Sequence, residues 1–157
     1  MRSIAREMDF NLSRNKSTEI LENEIKNAES IDQFMRNNET EFVKFDLADY
    51  LNQLLEKYNL DKSTVFSRAR MLETNYGYEI FKGKKKNVSR DKLIQICIGF
   101  PLTLDETKMV LRLGNVRPLY PRNERDAYIM FALKSRFTLE DADELLYEHN
   151  LNTINKN

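Results

Sequence analysis

Tryptophan is absent from this 157-residue chain, and cysteine and histidine occur once each, as Cys97 and His149. A lone thiol has no partner within the chain. One thiol and one imidazole cannot build a His/Cys zinc cage or a two-histidine metal site, so no disulfide, metal or cofactor is expected. No apolar run approaches the roughly 20 residues that a membrane span needs, and the opening MRSIAREMDF lacks the apolar stretch of a secretory signal. A cytoplasmic protein without membrane contact is therefore expected. A Gly-rich phosphate loop is also missing. With the single histidine in an acidic segment, neither a Ser-His-Asp triad nor a nucleotide fingerprint can be assembled, and the sequence does not read as an enzyme. The length is nonetheless enough to bury a core without staples.

Charge is plentiful and segregated. The 25 Lys and Arg balance the 25 Asp and Glu over the whole chain, yet residues 62–92 hold nine basic residues against three acidic ones. Residues 137–157 hold one basic residue against five acidic ones, and residues 1–61 hold eight against thirteen. A chain polarised in this way can offer a positive face to a polyanion despite a net charge of zero.

Glycine (four) and proline (three) are scarce, apolar residues recur at helical spacing, and no hairpin turn joins alternating strands. An all-α fold follows. Residues 1–40 read as an N-terminal arm carrying one helix from Thr18 to Ala28, with Ile20, Leu21 and Ile25 on a stripe. From Phe45 the pattern tightens. Leu47, Leu51, Leu54, Leu55 and Tyr58 line one face of a helix for which Asp46 is the N-cap. A short helix from about Lys62 to Arg70 follows, with Val65, Phe66 and Ala69 turned inward. A third spans about Thr74 to Phe81 and closes at Gly83 in a left-handed cap. About three residues separate the last two, the spacing of a helix-turn-helix, and residues 41–100 form this core.

Residues 89–150 contain an internal repeat with a period of 35. Arg90–Asn115 aligns without gaps on Arg125–Asn150, and seven of the 26 aligned pairs are identical, among them Arg90/Arg125, Asp91/Asp126 and Thr103/Thr138. Each unit reads as helix, turn, helix. The turn closes on Thr103-Leu-Asp-Glu106 in one copy, a capping box, and on Thr138-Leu-Glu-Asp141 in the other. Two such hairpins would bury their stripes against each other and against the first three helices, leaving 151–157 as a tail.

The chemistry-bearing segment is Leu72–Lys86. A helix pinned to the core through Tyr76 and Ile80 offers Thr74, Asn75, Tyr78, Glu79 and Lys82 on its opposite side. Such side chains hydrogen-bond base edges in a major groove, with asparagine suited to adenine and glutamate to the cytosine amino group. Lys84, Lys85, Lys86 and Arg90 come next and can meet the flanking sugar-phosphate backbone. Gly77 within this helix costs up to about 1 kcal/mol relative to alanine. Elsewhere the bland reading prevails. The acids of Glu140–Glu144 form a solvated first helical turn, Cys97 is a small buried side chain among isoleucines, and His149 sits near a helix C-terminus.

The run Tyr76-Gly-Tyr-Glu-Ile80-Phe-Lys-Gly83-Lys84, followed by Ser89-Arg-Asp-Lys-Leu-Ile94, resembles the helix-turn-helix proteins of the lambda-repressor/Cro type, also called the xenobiotic-response-element (XRE) family. The resemblance covers about residues 45–100. It implies base-reading positions at Thr74, Asn75, Tyr78 and Glu79, and backbone contacts from Lys84–Lys86. Lys62 and Ser63 stand at the start of the second helix, where the family grips a phosphate. Tyr76-Gly-Tyr78 and Leu119-Tyr-Pro-Arg-Asn-x-x-Asp126 look like a subgroup of small bacterial regulators. On this reading the partner is double-stranded DNA, bound sequence-specifically by a transcriptional regulator whose repeat serves as a homodimerisation or effector module. The alternative is a helical adaptor or inhibitor that binds a protein partner through the basic middle or the C-terminal hairpin.

Overall fold

Serine, threonine, aspartate or asparagine stands before nearly every helix. In the computed structural model, which describes residues 16–42 and 45–156, each of these side chains accepts a hydrogen bond from a backbone N–H of the first turn. The described residues form nine α-helices and one 3-10 turn, with no strand. Residues 1–15 of the expected N-terminal arm lie outside them. The chain divides into two compact units, one ending at Phe45 and the other running from Asp46 onward.

The first unit contains α1 (Thr18–Asn27), α2 (Ile31–Asn37) and a 3-10 turn (Glu39–Phe42). Helix α1 matches the expected element to within one residue, whereas α2, started by Ser30, was not expected, its stripe of Ile31, Phe34 and Met35 spanning a single turn. The predicted stripe on α1 buries nothing: Ile20 and Ile25 are half exposed. A polar knot holds the segment instead. The Lys16 ammonium bonds Glu24 at 2.9 Å and the Asn38 side-chain oxygen at 2.6 Å, and its backbone N–H donates to Glu41 at 3.0 Å.

The second unit holds the core and seven helices: α3 (Leu47–Tyr58), α4 (Lys62–Arg68), α5 (Thr74–Phe81), α6 (Arg90–Ile98), α7 (Leu104–Leu113), α8 (Glu124–Lys134) and α9 (Leu139–Glu148). The helical stripe of α3 is realised, since Leu51 and Leu54 are buried and Leu47, Leu55 and Tyr58 pack on the same core. Its C-terminal end is tied to α7 through Glu106, which closes the expected capping box with Thr103 and also accepts hydrogen bonds from Lys57 and the Tyr58 hydroxyl. Burial alone would raise the Glu106 pKa. The bonds from Lys57 and Tyr58 outweigh it and hold the carboxyl below its ordinary value, while burial and the bond to Glu106 push Tyr58 up to about 12. Among the described residues no helix is long and apolar enough to cross a membrane.

The repeat is real and longer than its identities suggest. Helices α7 and α9 start 35 residues apart, at Leu104 and Leu139, and both end on an asparagine in the left-handed region, Asn115 and Asn150. The two Arg-Asp pairs at the heads of α6 and α8 clasp each other crosswise. Arg90 reaches Asp126 at 2.8 Å, and Arg125 reaches Asp91 through two bonds of 3.0 and 3.1 Å. Each arginine also binds two carbonyls at the end of its own unit: Arg117 and Pro118 for Arg90, and Asn152 and Thr153 for Arg125. These carbonyls are themselves 35 residues apart, and the buried Leu119 and Ile154 follow them. The expected tail from 151 onward is thus the end of the second unit. Ile154 is buried, and its N–H donates to Asp143 at 2.6 Å.

Candidate nucleic-acid interface

Helix α5 is fixed from below by aromatic packing. Phe66 of α4 stands edge-on to Tyr78 and Phe81, with ring centroids 5.0 and 5.5 Å away, and lies against the backbone of Gly77. A Cβ at residue 77 would approach the Phe66 ring to 2.6 Å. The helix-weakening glycine is therefore the seat that lets Phe66 come close. Gly77, Ile80 and Phe81 are buried along this flank.

Two amides hold the α4–α5 pair at its ends. The Asn52 side chain of α3 donates to the Phe81 carbonyl at 2.8 Å, and Gln95 of α6 donates to the Ala69 carbonyl at 2.6 Å. The connection is longer than expected, five residues (69–73) instead of about three, because α4 stops at Arg68. Arg70 adopts φ +54°, and the Met71 N–H returns to the Phe66 carbonyl at 3.0 Å, which ends the helix and buries Met71. At the far end Gly83 takes φ +77°, and the Lys84 N–H bonds the Glu79 carbonyl at 3.0 Å. This is the left-handed cap the sequence called for.

Of the expected base-reading residues, Thr74, Asn75 and Glu79 are exposed on α5, and Lys82 is exposed at its C-cap. Tyr78 departs from the expectation. Its ring is half-buried on Phe66, and the Lys62 ammonium lies 5.9 Å from the ring centre, because a phenol beside a buried phenylalanine gains more by packing than by standing in water. Lys84, Lys85 and Lys86 are exposed, and none of them, nor Lys82, has a carboxylate partner among the described residues. Lys85 lies 5.0 Å above the Tyr76 ring, a contact that leaves its charge uncompensated.

Two expected backbone contacts are otherwise engaged. Arg90 is excluded from the loop set, since its guanidinium is mostly buried and spent on Asp126 and two carbonyls. The Ser63 hydroxyl donates to Asp61 at 3.0 Å, and the same carboxylate caps α4 through the Thr64 N–H. Those bonds from Thr64 and Ser63 hold the Asp61 carboxyl below its ordinary range, so a negative charge stands at the start of α4, where a phosphate grip was expected.

One feature of α5 had no announcement in the sequence. It is the only α-helix among the described residues that begins without a side-chain cap, at Glu73. Its first N–H groups are thus free of a side-chain acceptor at the exposed end that carries Thr74 and Asn75. Cys97, by contrast, is fully buried, and burial pushes its thiol up to about 12, which makes it a packing residue. Comparison with known proteins gives no match to a family model, to a curated protein or to a solved structure.

Proposed function

We propose that the protein is a sequence-specific double-stranded DNA-binding regulator of the lambda-repressor/Cro type, with α4 and α5 as its helix-turn-helix and α5 in the major groove. The observation that carries this reading is the outer flank of α5: Thr74, Asn75 and Glu79, with Lys82 at the C-cap, stand in solvent and lead directly into three lysines that make no ion pair among the described residues. Groups of the first kind discriminate base edges, and groups of the second kind displace counterions from phosphates. The uncapped start of α5 adds unpaired N–H donors where a phosphate oxygen is the natural acceptor. Tyr78, with its ring anchored, positions the helix.

Binding of the full chain to genomic fragments, followed by fluorescence anisotropy at two salt concentrations, tests the reading. Affinity should fall steeply with salt. Lys85→Ala combined with Lys86→Ala should weaken all sequences alike and reduce the slope of log K against log salt by about two, whereas Asn75→Ala should relax base preference at one position. Absence of binding at low salt ends the proposal.

A second reading, a protein-interaction module, draws on the C-terminal hairpin. Exposed Glu140, Asp141, Glu144 and Glu148 of α9 accompany Tyr147, which is 76 % exposed, and aromatic residues of this kind are favoured anchors at interfaces. Recovery of one stoichiometric protein that survives nuclease treatment would favour it.

A further inference from the structure

The crossed Arg-Asp pairs clamp the two hairpins at the heads of α6 and α8. At the opposite ends of these helices the hairpins part, and a cleft of about 450 Å³ opens between their turns and the end of α4. Much of its apolar lining comes in repeat-related pairs, Ile98 with Leu133 and Leu102 with Phe137, and Phe100 adds to it without an apolar counterpart. The pairing breaks at the rim, where Pro101 of the first turn corresponds to Arg136 of the second.

Three guanidinium groups, from Arg68, Arg70 and Arg136, face this cleft with Glu140 as the single acid. Arg70 is held by Glu140 through bonds of 2.9 and 3.1 Å, Arg136 makes one long bond of 3.4 Å to the Leu102 carbonyl, and Arg68 has no partner among the described residues. Two positive charges therefore remain uncompensated above an apolar floor.

The backbone gives a second, independent sign. Seven described residues have positive φ. Four are asparagines (59, 87, 115 and 150) and one is Gly83, the types that tolerate the left-handed region. The two exceptions are Arg70 at +54° and Arg136 at +60°, and both line this cleft. A side chain kept where the backbone disfavours it points to a task for that side chain.

We infer that the cleft is a binding site for a small amphiphilic carboxylate, its aliphatic or aromatic body on the Ile98–Leu133 floor and its carboxylate between Arg68 and Arg136. The volume suits such a molecule, and the forked guanidinium groups suit its head. The inference does not depend on α5 reading DNA.

Sodium decanoate, below its micelle concentration, and 2-naphthoate are the probes, titrated into the full chain with methyl-labelled isoleucine and leucine observed by NMR. At least one should shift the Ile98, Leu102 and Leu133 methyls saturably, whereas decyltrimethylammonium, with the same tail and the opposite head, should leave them in place. Arg68→Ala combined with Arg136→Asn should weaken binding by about tenfold or more. Arg136→Asn alone should unfold at a temperature no lower than the parent, since it puts at this site the residue found at four of the other six positive-φ positions. Failure of both carboxylates to saturate, an equal response to the cationic amphiphile, or unchanged affinity in the double variant overturns the inference.

Discussion

Arg90 and Arg125 at the heads of the hairpins, and Lys82 to Lys86 after α5, are all cations of the same basic stretch or its repeat, yet they use their charge in opposite ways. The arginines turn inward, each gripping a carboxylate of the other hairpin and two carbonyls of its own. The lysines stand in water and make no ion pair among the described residues. A planar guanidinium can satisfy several acceptors at once and tolerates burial, whereas an ammonium on a flexible stem is strongly hydrated and stays outside. Counting basic residues thus overstates the positive surface: what reaches a partner is the charge left after the fold has taken its share.

The largest effect should come from removing a charge the fold has taken. Arg90→Ala leaves Asp126, with 1 % of its side chain exposed, buried with only the Tyr120 N–H and the more distant Arg117 to answer it. Breaking a buried pair from one side costs about 3–5 kcal/mol, and urea unfolding should show a loss of that order. A loss below about 1 kcal/mol, the range of exposed pairs, would mean the clasp is ornamental and the contrast with the lysines false.

A smaller loss is expected on the buried flank of α5. Helix propensity alone says Gly77→Ala should stabilise by up to about 1 kcal/mol. The added methyl, however, would meet Phe66, which is confined by Tyr78 and Phe81. Overpacking of this kind costs about 1–3 kcal/mol, so the variant should be destabilised. Adding Phe66→Leu should recover part of the loss in a double-mutant cycle.

The sequence carried most of the second unit, because its helices announce themselves through local signals. Asp46, Thr103 and Thr138 cap as expected, Gly83 closes α5, and the period of 35 reappears as two hairpins. What it could not carry were choices made by distant partners. Arg90 looked like a phosphate contact because its acceptors lie 27 to 36 residues away, and Tyr78 looked free because the phenylalanine that claims it belongs to another helix. Helix α2 was missed because its seven residues carry only a one-turn stripe, Ile31, Phe34 and Met35, that runs into a polar stretch. The apolar stripe on α1, although well spaced, buries none of its residues.

The smallest expected effect on stability is also the sharpest test of the contrast. Replacing Lys84, Lys85 and Lys86 together by alanine removes three exposed side chains that make no ion pair among the described residues. Surface changes away from caps and pairs stay within about 0.5 kcal/mol, so the urea midpoint should hardly move. The same variant should lose most of its salt-dependent affinity for DNA, since each phosphate contact contributes about 0.9 to the salt slope. If these lysines instead proved as costly to remove as Arg90, their charge would be structural. The free cationic edge on which the DNA-binding proposal stands would then be gone.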